Sequence, residues 1–422
     1  MTMQTFTGYE YTLIDIANNF HEELDKLTFE KRLDWAYENL DHLEELAEHH
    51  SWKEKPQFLK AVQALRDIQS GNPVGHLIGF DAVCSGLQLM SAMTGCHEGA
   101  RATGLIDPDV RSDAYQICTD HMEEFLGNQV VIDRKNAKQA VMTSFYGSKA
   151  EPKKVFGEDT PELAAFEKAM YKLSPGSFKL LQSLLASWQP YTLAHQWQLP
   201  DGFIARIKTL QKYGARIEVD EAAHHTFEYI YSVNEGCEYD RKNAANVVHS
   251  VDAYVLRSLV RRCNYDREHA LAVNNAIEEE LLERNLHGAK GTMPDLVKKR
   301  PEIGYYVELY IRTGIADIVM LPLMDNEVIE AMDSEHLKGI RRILRDMLQH
   351  EPFAFVPVHD DFRCHPNNMN HLRWHYKEIL ATLADSQILG DILSQIYGTS
   401  GNYQKESEDL GDLIRNSNYA LS

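Results

Sequence analysis

The sequence predicts an α+β protein in which a few short strands are set among helices that make up most of the chain. Three observations carry this. Long stretches repeat apolar residues at helical spacing, two short apolar runs each lead into aspartate, and one segment alternates apolar with polar residues as a hairpin does. The 422 residues, 44% of them apolar, suffice for a buried core shared by two or three substructures.

Residues 28–69 are rich in Leu, Ala, Glu and Lys at helical spacing, with Trp35, Leu43 and Leu46 on the apolar side, until Gly71-Asn72-Pro73 ends the pattern. His76-Leu77-Ile78-Gly79-Phe80 reads as a buried strand ending at Asp81. Helices follow over 85–93 and 112–126, and a further helix over 134–145 stops at Tyr146-Gly147. Residues 216–232 alternate through Ile217, Val219, Phe227, Tyr229 and Tyr231, which predicts a β-hairpin. The spacing predicts a helix over 252–262, then a helical block to about residue 349 that contains Lys298-Lys299-Arg300-Pro301. Residues 353–358 read as a second buried strand, which leads into His359-Asp360-Asp361-Phe362. There is no repeat, low-complexity linker or Gly-rich phosphate loop.

A net charge of −20 argues against a protein that coats nucleic acid by charge alone, yet leaves room for an enzyme whose basic groups line one cleft. Six cysteines, none in a Cys-x-x-Cys pair, fit a reducing cytoplasm better than a disulfide framework or a zinc site. No apolar run approaches the roughly 18 residues of a membrane span, and residues 1–15 carry no basic n-region, so a soluble protein is expected, with no membrane partner. The paired histidines His49-His50 and His224-His225 lack a ligand set and read as surface residues.

An aspartate just past an apolar strand is common, because Asp also starts turns and caps helices, so Asp81 or Asp360 taken singly reads as structural. Two neighbouring strands that each end in carboxylate could instead hold two divalent ions about 3.5–4 Å apart, the arrangement used for phosphoryl transfer. Carboxylates so placed repel each other without cations, and their hard oxygens suit Mg²⁺. The 134–145 helix adds a second feature: Arg134, Lys138, Met142 and Tyr146 fall four apart on one gently drifting face. From Lys138 to Tyr146 is about 12 Å of helix, roughly the span from the phosphates to the base of a nucleoside triphosphate. The alternative for an arbitrary helix is a solvated basic face; its position between the two acidic strand ends favours phosphate binding here.

These residues resemble a family. Phe80-Asp81-Ala82-Val83-Cys84-Ser85-Gly86-Leu87-Gln88 is similar to the first polymerase motif of single-subunit phage and mitochondrial RNA polymerases, and residues 134–148 to their second. His359-Asp360-Asp361-Phe362 resembles the third, normally His-Asp-Ser-Phe. Asn246-Val247-Val248-His249-Ser250-Val251-Asp252 resembles their His-Ser-x-Asp element, and Pro200-Asp201-Gly202-Phe203 a turn between the second and third motifs. The C-terminal Asn418-Tyr419-Ala420-Leu421-Ser422 resembles the family's short aromatic tail.

The resemblance implies a right-hand polymerase fold: a palm with a small antiparallel sheet and mostly helical fingers, the family's N-terminal domain and thumb being absent. Palm would occupy 1–104 and 249–422, with fingers at 105–248 that include the hairpin loop, and a helical insertion at about 265–349. It implies a DNA-directed RNA polymerase using two Mg²⁺, with Asp81, the Ala82 carbonyl and Asp360 as metal ligands. Arg134 and Lys138 would bind the triphosphate, Lys138 acting as general acid, with Met142, Tyr146 and Gly147 continuing the nucleotide face. Tyr146 and His249 would recognise the ribose 2′-OH. His249 alone, just before a helix, would read as packing or capping. His359 would support the metal site or be a buried structural histidine, and Asp361, where the family has Ser, would be a third acidic contact.

DNA enzymes of the related family place Glu where Gly86 stands, so glycine, together with Tyr146 and His249, favours ribonucleotides over a DNA polymerase or primase-like reading. A non-catalytic nucleic-acid-binding scaffold is the remaining rival, opposed by the intact Asp81, Lys138, Tyr146 and Asp360. Absent family elements, including an Asp-x-Arg-Gly-Arg run of the palm, make the chain look like the larger part of a split podophage enzyme in the host cytoplasm. Its partners would be a DNA template, the RNA product, ribonucleoside triphosphates and a second polypeptide supplying the thumb. Where relatives read promoters, the hairpin holds Glu218, Asp220, Glu221 and Glu228 against one Arg. That implies weak promoter reading, a need for single-stranded or opened DNA, and a single-stranded-DNA-binding or other recruitment factor.

Overall fold

The structure, a computed structural model, describes residues 3–21, 23–49, 51–128, 130–287, 293–401 and 403–422. His50 and residues 288–292 of the helical block lie outside these. Helices dominate, and three sets of apolar side chains form separate cores.

The first core is N-terminal. Helices Gly8–Asn18, Phe29–Glu38, Leu43–His49 and Lys55–Gln69 bury Leu13, Ile16, Phe20, Ala36, Leu43, Phe58 and Leu65 together. The continuous helical pattern of 28–69 is thus cut into three helices. The first helix begins with a capping box: the Thr7 side chain accepts from the Glu10 N–H, and Glu10 accepts from the Thr7 N–H.

The central core surrounds a small antiparallel sheet. Strands β1 (Ile78–Asp81), β6 (Val356–Val358) and β7 (Asp361–Cys364) run in the order β1-β7-β6. Ile78 and Phe80 oppose Cys364 and Phe362, and all four are buried, so period-two alternation sends Gly79, Asp81, Arg363 and Asp361 to the opposite face. The C-terminus extends this sheet: Leu421 bridges to Ala82, and the Ser422 N–H donates to the Asp81 carbonyl at 3.1 Å. Tyr419 stacks on Phe29 with centroids 4.9 Å apart. The buried strand expected over 353–358 is different in the structure. Only three residues pair, all three are exposed, and the buried Phe353 instead donates its N–H to the Cys263 carbonyl.

Two further hairpins stand apart from this sheet. β2 (Ala194–Gln198) and β3 (Ile204–Lys208) flank the Pro200-Asp201-Gly202-Phe203 turn, where Gly202 has φ +82°. The buried Asp201 carboxylate accepts from Arg257 at 2.6 Å and Arg261 at 3.0 Å, fastening the turn to the helix Lys242–Cys263. β4 (Leu210–Val219) and β5 (His225–Asn234) make a longer hairpin than 216–232. It is exposed along nearly its whole length, and Tyr213, Tyr229, Tyr231 and Phe227 share one of its faces. His224 at its tip pairs with Glu218 at 2.8 Å and Asp220 at 3.2 Å, so it is a surface residue set among acids.

The third core belongs to the helical block. Helices Arg267–His287, Met293–Lys299, Pro301–Thr313, Asn326–Ala331 and Ser334–Met347 bury Val273, Ile277, Ile303, Val328, Leu337, Ile340 and Leu344 among themselves. No helix among the described residues is long and apolar enough to cross a membrane.

Candidate active site

β1 and β7 are antiparallel, and Asp81 stands directly opposite Asp361. Opposed residues point to one face, so the two carboxylates share one side of the sheet. That side opens into a cleft of about 570 Å³, lined also by Asp15, His76, Arg111 and Arg363. Arg363 neutralises one oxygen of Asp361 at 2.5 Å, while the other, Oδ1, is buried without a partner. A Cβ on Gly79 would lie 2.4 Å from that oxygen, so glycine is what lets Asp361 turn inward.

Asp360 is not at a strand end. With His359 it forms the two-residue loop between β6 and β7, where His359 takes φ +59°. Two-residue hairpin loops demand such a left-handed residue and glycine usually supplies it. His359 is exposed, which removes the reading of a buried structural histidine. The Asp360 carbonyl accepts the Ala82 N–H at 3.0 Å, tying the loop to the end of β1. The loop therefore lies beside the end of β1, close enough for the Asp360 charge to act on Asp81.

Crowding of charge is legible in the acidities. Lost hydration, then Asp361 and Asp360, push the Asp81 carboxyl up to about 6, against the pull of Arg363 and Lys138. Burial and then Asp360 raise Asp252 to about 6 as well. Burial also raises Asp361, opposed by its Arg363 partner. Asp81 and Asp361 offer hard oxygens to one cleft, one of them buried without a partner, which suits a divalent cation, while no three acidic groups of this site bring ligand oxygens within 4.8 Å of one another among the described residues.

The helix Arg134–Ser144 packs on the helix Ala114–Phe125 and brings Lys138 near enough for its charge to act on Asp81. Asp133 caps it, accepting from the Lys135 N–H, and Ala137, Ala140 and Val141 bury its inner face. Lys138 and Met142 remain exposed. The Lys138 ammonium sits 5.2 Å from the centre of the Tyr115 ring, which the Arg134 guanidinium also faces at 5.6 Å. Arg134 is not free: it holds Asp113 through two nitrogens, at 2.8 and 2.5 Å. Helical geometry stops at Ser144, so Tyr146 leaves the four-residue repeat and sits in the following turn, where Gly147 has φ +87°.

Tyr146 meets two other expected residues. Its ring stacks on His249 with centroids 4.7 Å apart and planes within 7°. Its hydroxyl lies against Gly86 at the start of the helix Ser85–Thr94 and shares a hydrogen bond with Ser85. Burial first, then Cys84 and Asp252, hold the phenol well above its ordinary range. His249 does not precede a helix. It lies in the second turn of Lys242–Cys263, a helix that starts ten residues earlier than its apolar pattern suggests.

Three residues of the site went unassigned at the level of sequence. Asp252 follows His249 by three positions and so shares its helix face, a spacing visible in the motif itself. Tyr115 and Arg111 reach the site from the loop and helix around Asp113, and only the long-range fold brings them there. The run Lys298-Lys299-Arg300 is neutralised by Asp295, Glu327, Asp325 and Glu302.

Comparison with known proteins gives two matches. A family model described as DNA-dependent RNA polymerase matches residues 4–159, a stretch that includes Asp81, Gly86, Arg134, Lys138 and Tyr146 but ends before His249 and Asp360. A probable DNA-directed RNA polymerase of Neurospora crassa is 28% identical over 160 residues, covering 33% of this chain and 18% of that protein. The chain thus matches less than a fifth of that relative's length.

Proposed function

We propose that the chain is the catalytic palm and fingers of a DNA-directed RNA polymerase, joining ribonucleotides on a DNA template. The palm would comprise 1–104 and 249–422, the fingers 105–248. The observation that carries this reading is the meeting of Asp81 and the Asp360 loop, with Lys138 close enough to lower the acidity shift of Asp81. The RNA polymerase family match over residues 4–159 supports it independently.

Asp81, Asp360 and the Ala82 carbonyl would hold Mg²⁺, with Asp361 as an added acidic contact. Bound there, two such ions supply charge neutralisation for the triphosphate and a more acidic attacking 3′-hydroxyl. The chain's own residues do the positioning. Lys138 faces the developing charge on pyrophosphate and donates its proton there. Arg134 exchanges the Asp113 carboxylate for phosphate oxygens, its fork already oriented by that pair. Tyr146, braced on His249, reads the sugar. The 2′-OH is both donor and acceptor, and can satisfy polar groups that a deoxyribose leaves unpaired.

A second polypeptide would join it in the extending complex, as in the split phage enzymes that the motifs resemble. The acidic, exposed hairpin would leave promoter choice to opened DNA and a recruiting factor, in a host cytoplasm. The test is ribonucleotide extension of a primed template, with and without Mg²⁺ and with and without a co-expressed partner. Extension needing both supports the whole reading; metal-independent extension removes its core.

A further inference from the structure

The chain carries net charge −20, and many of its cations are paired with acids. One helix face gathers cations on a single side. In Ser334–Met347, Lys338, Arg341, Arg342 and Arg345 recur at i, i+3, i+4 and i+7, which places them on one side over about 10 Å. They line a cleft of about 430 Å³ together with Asp346, Gln349 and Trp374. A second cleft, of about 320 Å³, adjoins it through Lys338 and Arg342. Lys338 pairs with Glu335 at 2.6 Å and Arg341 with Glu278 at 2.5 Å. Arg342 and Arg345 are exposed and have no ion pair among the described residues. The Trp374 indole is half-buried in the cleft and hydrogen-bonds Asp346.

The face looks away from the candidate active site. Trp374 lies two residues from Tyr376 on the helix Met369–Asp385, so the two side chains point to nearly opposite sides. Tyr376 bonds Gln88 at 3.0 Å, next to the Asp81 segment. Trp374 therefore faces away from the Asp81 segment and toward the basic stripe of the helical block.

We propose that this face binds a single nucleic-acid strand through its phosphates, as an auxiliary site of the helical block. A row of four cations, two of them guanidiniums without an ion pair, beside an aromatic ring is the combination that holds single strands without reading sequence. An isolated anion would need one such group; a spaced row fits a repeating polyanion. The proposal rests on the polymerase reading for the presence of such a strand, but it concerns a different surface.

The test uses the whole chain and a fluorescein-labelled oligothymidylate of about 20 nucleotides, longer than the about 16 that such a site spans. Binding is followed by anisotropy across salt concentration, for the wild type and for an Arg342→Glu/Arg345→Glu double variant. Loss of two phosphate contacts should lower the slope of log K against log salt by about 1.4 and weaken binding at low salt at least tenfold. Primed-template extension and the melting temperature should stay as in the wild type, since neither arginine touches the site or the core. A Trp374→Phe variant should lose most of any fluorescence quenching by the oligonucleotide. An unchanged salt slope in the double variant overturns the proposal. So does arginine-dependent binding of a polyglutamate peptide with oligonucleotide binding unchanged, which would identify an acidic protein as the partner. Failed extension with an intact slope difference would sink the polymerase reading and leave this site standing.

Discussion

The Tyr146 hydroxyl occupies the space where a side chain at residue 86 would begin: a Cβ on Gly86 would fall 2.5 Å from that oxygen and 2.8 Å from Cζ. Sequence reasoning makes glycine the residue that leaves room for a ribose hydroxyl. In the structure that room holds the tyrosine's own oxygen, and His249 stacked behind the ring keeps it there. Residues 86, 146 and 249 form one unit.

Tyr146→Phe should therefore keep the stack and lose only the hydroxyl. One missing hydrogen bond to sugar corresponds to about 1–3 kcal/mol, or roughly 5- to 150-fold in discrimination. The ratio of kcat/KM for ATP over dATP should fall within that range. A variant that rejects dATP as firmly as the wild type would show that the phenol does not read the sugar.

Gly86→Ala acts from the other side. The added methyl must displace the Tyr146 ring, an overpacking cost of about 1–3 kcal/mol at a buried position. The melting temperature should drop and extension should fall, and a Gly86→Ala/Tyr146→Phe double variant should recover part of the stability. Strict additivity of the two changes would mean that the residues are not coupled.

Asp361 and Asp360 should separate by function. The motif that residues 359–362 resemble normally has Ser at position 361, so Asp361→Ser should keep most extension activity, whereas Asp360→Asn should not. Equal damage from the two changes would move the principal carboxylate from the loop to β7.

The raised Asp81 carboxyl gives a pH signature in chelator-treated protein. Its folded pKa of about 6 lies above the unfolded value, so the folded state holds the proton more tightly. Ionisation then costs stability, beginning near the unfolded value of about 4 and complete above about 6. Asp81→Asn should raise the melting temperature at pH 8 and leave it nearly unchanged at pH 4. A wild type more stable than the variant at pH 8 would contradict the crowding of Asp81 with Asp360 and Asp361.

Much of this site was legible in the sequence because its parts are local. The strand before Asp81, the helix from Arg134 and the turn at Tyr146-Gly147 all follow from apolar spacing and breakers within a dozen residues. What stayed hidden depends on pairing between distant segments. The Asp81–Asp361 register and the Arg134–Asp113 pair are set by tertiary contacts that no local pattern encodes. The apolar run 353–358 misled because Val356 and Val358 lie at a sheet edge, exposed, while Phe353 packs elsewhere. The helix carrying His249 begins at Lys242 with Asn-Ala-Ala-Asn, too polar to announce itself by periodicity. In the helical block, the three consecutive cations Lys298, Lys299 and Arg300 are paired with acids, while the spaced set from Lys338 to Arg345 lines a cleft.

In the proposed polymerase, Asp81 and Asp360 act together on a nucleotide held by the Lys138 helix. The most direct measurement is single-nucleotide ribonucleotide extension with Mg²⁺ and the co-expressed partner, comparing the wild type with Asp81→Asn and Asp360→Asn. Each variant should lose on the order of 10³-fold in rate, the scale of removing one principal electrostatic group, while still folding. Extension by either variant within about tenfold of the wild type would contradict the account.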